Sequence, residues 1–202
     1  MTTWVEPEGG RERGPLGLAK SFTQVLLNPV SFFDEAVSPG DQAPGLVFAM
    51  VVVGVVAATE LAATPSDALA FPTADWLAAV LTVALVVLLV TPAAVHALSA
   101  IQTLCLVIAT ISESRGGVSE TVQLIAYAAA PCVVTGLGVP VLTLLAGVWS
   151  WCLLVVGTSV VHEISLPRAV IAAAVPGVLA FGAGFGAIPA GEQVIHAAGL
   201  AF

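Results

Sequence analysis

Two polar sites in this chain begin like known catalytic motifs and then depart from them. His162-Glu163 opens as a zinc-protease motif does, but Leu166 stands where the second zinc-binding histidine is required. Ser150 lacks the flanking glycines of the strained turn that exposes a nucleophilic serine. An aspartyl protease of the membrane would need paired aspartates inside apolar segments, and none lies there. We therefore predict that the protein is not an enzyme.

The remaining ligand-binding patterns are equally incomplete. Gly182 and Gly186 belong to a glycine-rich stretch, but no Lys-Ser/Thr pair follows it, as a phosphate-binding loop requires. If they lie on one face of a helix, these two glycines allow a neighbouring helix to approach closely. That face is a candidate surface for an oligomer. The three cysteines lie in apolar stretches without ligand-type neighbours, so neither a disulfide nor a metal site is expected. We predict no cofactor.

Glu60 is the one carboxylate inside an apolar stretch. Such groups are costly in a membrane and often mark the path of a substrate or ion. Glu60 follows Gly45 by 15 residues, or about 22 Å along a helix. That distance places it close to the outer interface, where contact with water gives a simpler explanation.

Several other polar residues could face one another near the inner membrane surface. One helical stripe in the second apolar run could line a polar cleft together with residues of the third and fourth runs. Alternatively, the residues of this stripe could form ordinary hydrogen bonds between helices. The stripe holds His96, Ser99, Gln102 and Thr103, and the other residues are Tyr127, His162 and Glu163.

Composition predicts the elements that must position these residues. The chain has 202 residues, of which 58% are hydrophobic and 9% charged, and so much apolar surface cannot be hidden in a water-soluble core. The net charge of −8 argues against nucleic-acid binding, which needs a basic patch. So acidic a surface is typical of proteins from salt-loving microbes. We predict an all-α membrane protein.

Five apolar runs predict five membrane spans. They cover Gly45 to Ala63, Trp76 to Ile111, Thr121 to Leu137, Pro140 to Val161, and Arg168 to about Ile188. The second run is long enough to be divided into two elements, but a single tilted or proline-kinked helix keeps the positive charges on one side.

The basic residues predict the orientation of the five spans. With this count, every Lys and Arg falls on one side: Arg11, Arg13, Lys20, Arg115 and Arg168. Because positive charge stays in the cytoplasm during insertion, the N-terminus is expected inside and the C-terminus outside the cell. Asp67 and Glu192 then face the exterior.

A different type of segment precedes the spans. Leu18, Phe22, Val25 and Leu26 follow helical spacing, and Asn28-Pro29 could start a second short helix that carries Phe32 and Phe33. Too short to span, this segment would lie on the inner leaflet through Leu18, Phe22, Leu26 and Phe32, or pack under the bundle. Asn28, Pro29 and Phe32 are candidate interaction residues. We predict a flexible acidic tail (1–15), a cytoplasmic amphipathic interfacial segment (16–44), a five-helix domain (45–188) and an extracellular tail (189–202).

The same segments resemble the Yip domain family of multispanning Rab- or Ypt-interacting proteins, in its prokaryotic branch. The resemblance covers roughly residues 21–186, and the acidic composition points to a halophilic archaeon. Its motifs are Leu27-Asn28-Pro29 with Phe32-Phe33, Ile125-Ala126-Tyr127 leading to Pro131, and Trp149 through Gly157 to His162, Ile164-Ser165 and Arg168-Ala169.

This resemblance implies a five-helix membrane bundle and a non-catalytic role. Eukaryotic members resemble adaptors for prenylated small GTPases, although this chain lacks their longer cytoplasmic region. We expect a scaffold or adaptor at the cytoplasmic face of the cell membrane, in membrane organisation or vesicle-type trafficking, with a small GTPase or another membrane protein as partner. The alternative is a transporter or channel for a small solute or a lipid.

Overall fold

A computed structural model describes residues 14–110 and 117–199. Within these ranges every regular element is a helix. The predictions for Arg11, Arg13, Arg115 and nearly all of the 1–15 tail lie outside the described residues.

The chain begins with two short helices joined by a corner, α1 (Pro15–Leu27) and α2 (Pro29–Ala36). Each starts on proline, which fits the first turn of a helix because the missing N–H would have no partner there. We call the end of the molecule that carries these helices the N-terminal end, and the other the opposite end.

Helix α3 (Ala43–Ala63) runs from the N-terminal end to the opposite end, where a loop with a short 3₁₀ turn follows it. The chain returns as α4 (Asp75–Ala109), one continuous helix of 35 residues, as predicted. Its length is about 52 Å at 1.5 Å per residue, well above the roughly 30 Å of a bilayer core. A helix this long must tilt or extend beyond the membrane.

The third span is bent. Helix α5 (Val118–Ala128) continues into a 3₁₀ helix (Ala130–Leu137) at an angle of 42°. Pro131 lies at the start of the second piece, where it removes a hydrogen bond that a straight helix needs. Helix α5 occupies the centre of the bundle, since every residue from 121 to 128 is buried.

Two more helices complete the bundle, α6 (Pro140–Val161) and α7 (Leu166–Gly184). The predicted bounds of the fourth span are those of α6. The fifth span ends earlier than predicted, because Gly186 adopts φ +75°, a left-handed conformation that stops the helix. Gly182 and Gly186 therefore do not share a helical face, which corrects the expectation of a glycine face for oligomers.

The chain then forms a further helix, α8 (Ala187–Ala197), where the sequence predicted a tail. It packs beside α6, and the absence of a side chain at Gly147 makes room for Ala187. Gly182 is also used within the chain, since a side chain there would press on Ile188.

Within the described residues, four helices, α3, α4, α6 and α7, are long and apolar enough to cross a membrane, and the bent pair around Pro131 makes a fifth if it counts as one span. The prediction of an all-α bundle with five membrane helices is confirmed at this level.

Helices α1 and α2 pack against the bundle, the second of the two arrangements considered for them. Val25, Phe32 and Phe33 are buried in the main core, and Phe22 and Leu26 are partly buried against it. Phe32 is therefore a core residue and does not face the inner leaflet. In a membrane protein, an apolar helix face fits lipid and a neighbouring helix equally well.

Candidate interaction site and groove

The Asn28-Pro29 pair forms an exposed corner at the N-terminal end. The Asn28 N–H donates to the Gln24 carbonyl at 2.8 Å and closes α1, and the Asn28 carbonyl accepts from the Phe32 N–H at 3.0 Å and opens α2. A hollow of about 580 Å³ lies beside the corner, lined by Leu27, Asn28, Pro29, Val30, Ser31, Asp34 and Val160.

An aromatic cluster fixes this corner to the bundle. The Phe32 ring meets the Tyr127 ring edge-on, with centroids 4.9 Å apart, and Phe48 of α3 meets the same tyrosine at 5.2 Å. Phe22 stacks on Phe48 at 5.9 Å. Each such pair contributes about 0.5–1.5 kcal/mol beyond the area it buries. Phe32 and Tyr127, both predicted site residues, thus contact each other directly, as core residues.

His162 and Glu163 separate at the end of α6. His162 is buried, whereas Glu163 is exposed and adopts φ +51°, which is uncommon for a residue other than glycine. The turn is held by Ser159, whose hydroxyl donates to the Ile164 carbonyl at 2.7 Å. The structure therefore places Glu163 on the surface of the N-terminal end and His162 beneath it.

The polar stripe of α4 divides between two neighbours. His96 is exposed, and its Nε2 lies 2.9 Å from the Gln42 side-chain oxygen just before α3. Gln102 is buried and donates to the Thr158 hydroxyl of α6 at 2.8 Å. His96 and Gln102 therefore join α4 to different helices.

A further contact ties the N-terminal helices to the centre of the bundle. The buried amide of Gln123 accepts from the Ser38 N–H at 3.1 Å and donates to the Ser38 carbonyl at 2.7 Å. Ser38 lies in the connection between α2 and α3, so this pair, the Ser38 clamp, holds that connection on α5.

Sequence reasoning missed a groove of about 610 Å³ in the half of the bundle away from α1 and α2. It runs between α3, α4 and α7, with α5 as its floor, and Glu60 is its one carboxylate. The groove exists because α4 packs on α7 through its second half, while its first half contacts α3. Pro92 and Pro176, one in each flanking helix, are the sequence signals that could have indicated irregular helices here.

The Yip1 domain model matches residues 23–188 of the chain. The chain belongs to the Yip1 domain family. No curated protein and no solved structure matches it.

The Yip1 domain extends from within α1 to the start of α8, so it includes the Ser38 clamp, the groove and, apart from Phe22, the aromatic cluster. Proteins of the Yip1 family are not known as enzymes. Among the described residues, no group of His, Cys, Asp or Glu side chains could hold a metal ion.

Proposed function

We propose that this Yip1-family membrane protein is a non-catalytic scaffold that recruits a partner at the cytoplasmic face of the cell membrane. The partner is a small GTPase or another membrane protein, and the role lies in membrane organisation or vesicle-type trafficking. The acidic composition supports an origin in the prokaryotic branch, in a halophilic archaeon.

The observation that carries the proposal is the surface around Asn28-Pro29, which we call the platform. Because Val25, Phe32 and Phe33 fix α1 and α2 in the core, the aliphatic side chains on their outer side have a stable support. Leu27 is 73% exposed and Val30 60% exposed, beside the hollow that reaches Asp34. An apolar pair with a polar rim on a rigid support is typical of a protein interaction site.

The platform is tested by cross-linking in native membranes followed by capture of the full chain. Leu27→Asp and Val30→Asp should reduce recovery of the cross-linked partner by about tenfold or more, since a central contact often contributes over 1.4 kcal/mol. Both positions are exposed, so neither variant should unfold the bundle.

Leu69→Asp is the matched control, because Leu69 is 47% exposed but lies in the loop at the opposite end. It should leave recovery unchanged. Equal recovery with all three variants would contradict a platform at α1 and α2.

The orientation is also part of the proposal. Single cysteines at Arg168 and at Arg115, placed in a chain without its three natural cysteines, should resist a membrane-impermeant thiol reagent added outside the cell. Cysteines at Asp67 and Glu192 should react. The basic residues stay in the cytoplasm, so these two acidic positions lie outside the cell. Labelling of position 115 or 168 from outside would invert the orientation.

One observation favours the alternative function, transport of a small solute or a lipid. The groove carries Glu60 among apolar walls. Flux into liposomes that disappears with Glu60→Gln but survives Leu27→Asp and Val30→Asp would replace the scaffold with a transporter.

A further inference from the structure

We propose that the groove is a binding site for one membrane lipid, whose hydrocarbon chain lies between α3, α4 and α7 and whose cationic ammonium head group contacts Glu60. The walls of the groove are nearly all apolar. Apart from Glu60, the lining residues with polar side chains are two threonines. Thr91 donates to the Val86 carbonyl at 2.8 Å, and Thr135 donates to the Cys132 carbonyl at 2.8 Å, so both hydroxyls are satisfied within the chain. Such walls suit a hydrocarbon chain and offer little to a polar solute.

The dimensions also fit a single chain. The volume of about 610 Å³ falls within the roughly 300–1,000 Å³ of typical ligand pockets. Along α3 the lining extends from Ala49 to Glu60, 11 residues or about 16 Å, close to half of a bilayer core. Val90, Ala94 and Ala97 of α4 and Leu179 of α7 are exposed where they border the groove. The groove therefore opens sideways, where lipid can enter.

Both flanking helices are irregular at the groove. Val86–Val90 of α4 and Val178–Gly184 of α7 form π-helical turns, and residues of both turns line it. Isolated π-turns are rare and are found frequently at functional sites. Two of them facing the same space indicate that the space is a built feature of the fold.

The charge of Glu60 selects the head group. Glu60 is exposed and lies three residues before the end of α3, where we expect this span to reach the membrane surface. The Lys and Arg side chains that the structure describes, Lys20 and Arg168, both belong to the N-terminal end. A carboxylate beside an apolar groove at the interface therefore complements a lipid with an ammonium group.

The test uses the full chain in phosphatidylglycerol vesicles, a lipid without a cationic group. Three photoactivatable probes with the same long alkyl chain carry an amine, an alcohol or a carboxylic acid. We expect the amine to cross-link to peptides of α3 and α4 that line the groove, with about two- to fivefold more labelling than the alcohol, the range expected of an exposed ion pair. The acid should label least.

Two kinds of variant separate the chain site from the head-group contact. Ala97→Trp fills the groove and should reduce labelling by all three probes, whereas Ala100→Trp, on an exposed part of α4 outside the groove, is the matched control. Glu60→Gln should remove the advantage of the amine and leave the alcohol unchanged. If Ala97→Trp fails to fold, Leu179→Trp obstructs the groove from the side of α7.

Each part of the proposal, the groove site and the head-group contact, has a result that would overturn it. Equal labelling of the lining peptides in the obstructed variants and in Ala100→Trp would overturn the groove site. Amine labelling that does not exceed alcohol labelling, or that Glu60→Gln does not change, would overturn the head-group contact. Partner recovery at the platform is measured separately and does not depend on these results.

Discussion

The N-terminal end of the bundle is closed, and the half around the groove is open. Around Tyr127, residues of α1, α2, α3 and α5 meet in one aromatic core, and the Ser38 clamp closes the connection above it. Around Glu60, by contrast, the first half of α4 packs on α3 and is separated from α7 by the groove. The same kinds of apolar helix build both halves.

The two halves differ in the regularity of the helices that surround them. Helix α5 contributes to both halves, but in the open half its neighbours α4 and α7 are locally widened by π-turns near Pro92 and Pro176. A proline in a helix removes one backbone hydrogen bond and crowds the preceding turn. In the closed half, the π-turns are absent from the described helices around Tyr127, and Phe32, Phe48 and Tyr127 are buried.

The largest expected effect is on the closed half. Phe32→Ala should lower the free energy of unfolding in detergent micelles by about 3–5 kcal/mol, because it leaves a cavity against Tyr127. Leu27→Ala, on the same segment but exposed, should change it by less than about 0.5 kcal/mol. A small loss for Phe32→Ala would mean that α1 and α2 are not part of the core in solution.

A smaller effect is expected where α3 meets the bent span. A Cβ at Gly136 would lie 2.7 Å from the Val56 carbonyl oxygen, and backbone cannot move aside cheaply. Gly136→Ala should therefore cost about 1–3 kcal/mol of unfolding free energy. Gly191→Ala is the control, because its Cβ would make an ordinary 3.5 Å contact with Leu144 and a helical glycine is replaced by a better helix former. A stability gain for Gly136→Ala would contradict the close approach at Val56.

The smallest effect is expected between α4 and the start of α3. His96→Ala removes the hydrogen bond to Gln42 and should cost about 0.6 kcal/mol, the average for such bonds in membranes. Because His96 Nδ1 also lies 2.7 Å from the Pro92 carbonyl oxygen, Gln42→Ala should cost no more than His96→Ala. The double variant should cost about as much as His96→Ala alone, in the unfolding measurement that a double-mutant cycle requires. Fully additive losses would show that the two side chains act independently.

The sequence predicted most of the helices and little of their arrangement. Pro140 and the polar turn at His162 bounded α6 sharply, and the charge pattern favoured one long α4 over two shorter helices. The end of α7 was misplaced, because the apolar run continues through Gly186 without a polar residue to mark the break. The groove could not be predicted, since it depends on how similar apolar helices are displaced from one another.

The site residues show the same limit. Burial of the Phe32 face could not be distinguished from contact with lipid, because both environments accept the same side chains. His96 and Gln102 share a helical stripe, but the neighbour of α4 changes between them, from the start of α3 to α6. Sequence spacing gives the face of a helix and not what that face meets.

The Ser38 clamp has a mechanical consequence. Gln123 holds both backbone groups of Ser38, which follows α2 in the chain. A force applied at the platform is therefore transmitted through this contact to α5. Ile125 and Ala126, which follow Gln123 in α5 by two and three residues, form part of the floor of the groove. A pull on the platform would therefore strain the floor of the groove.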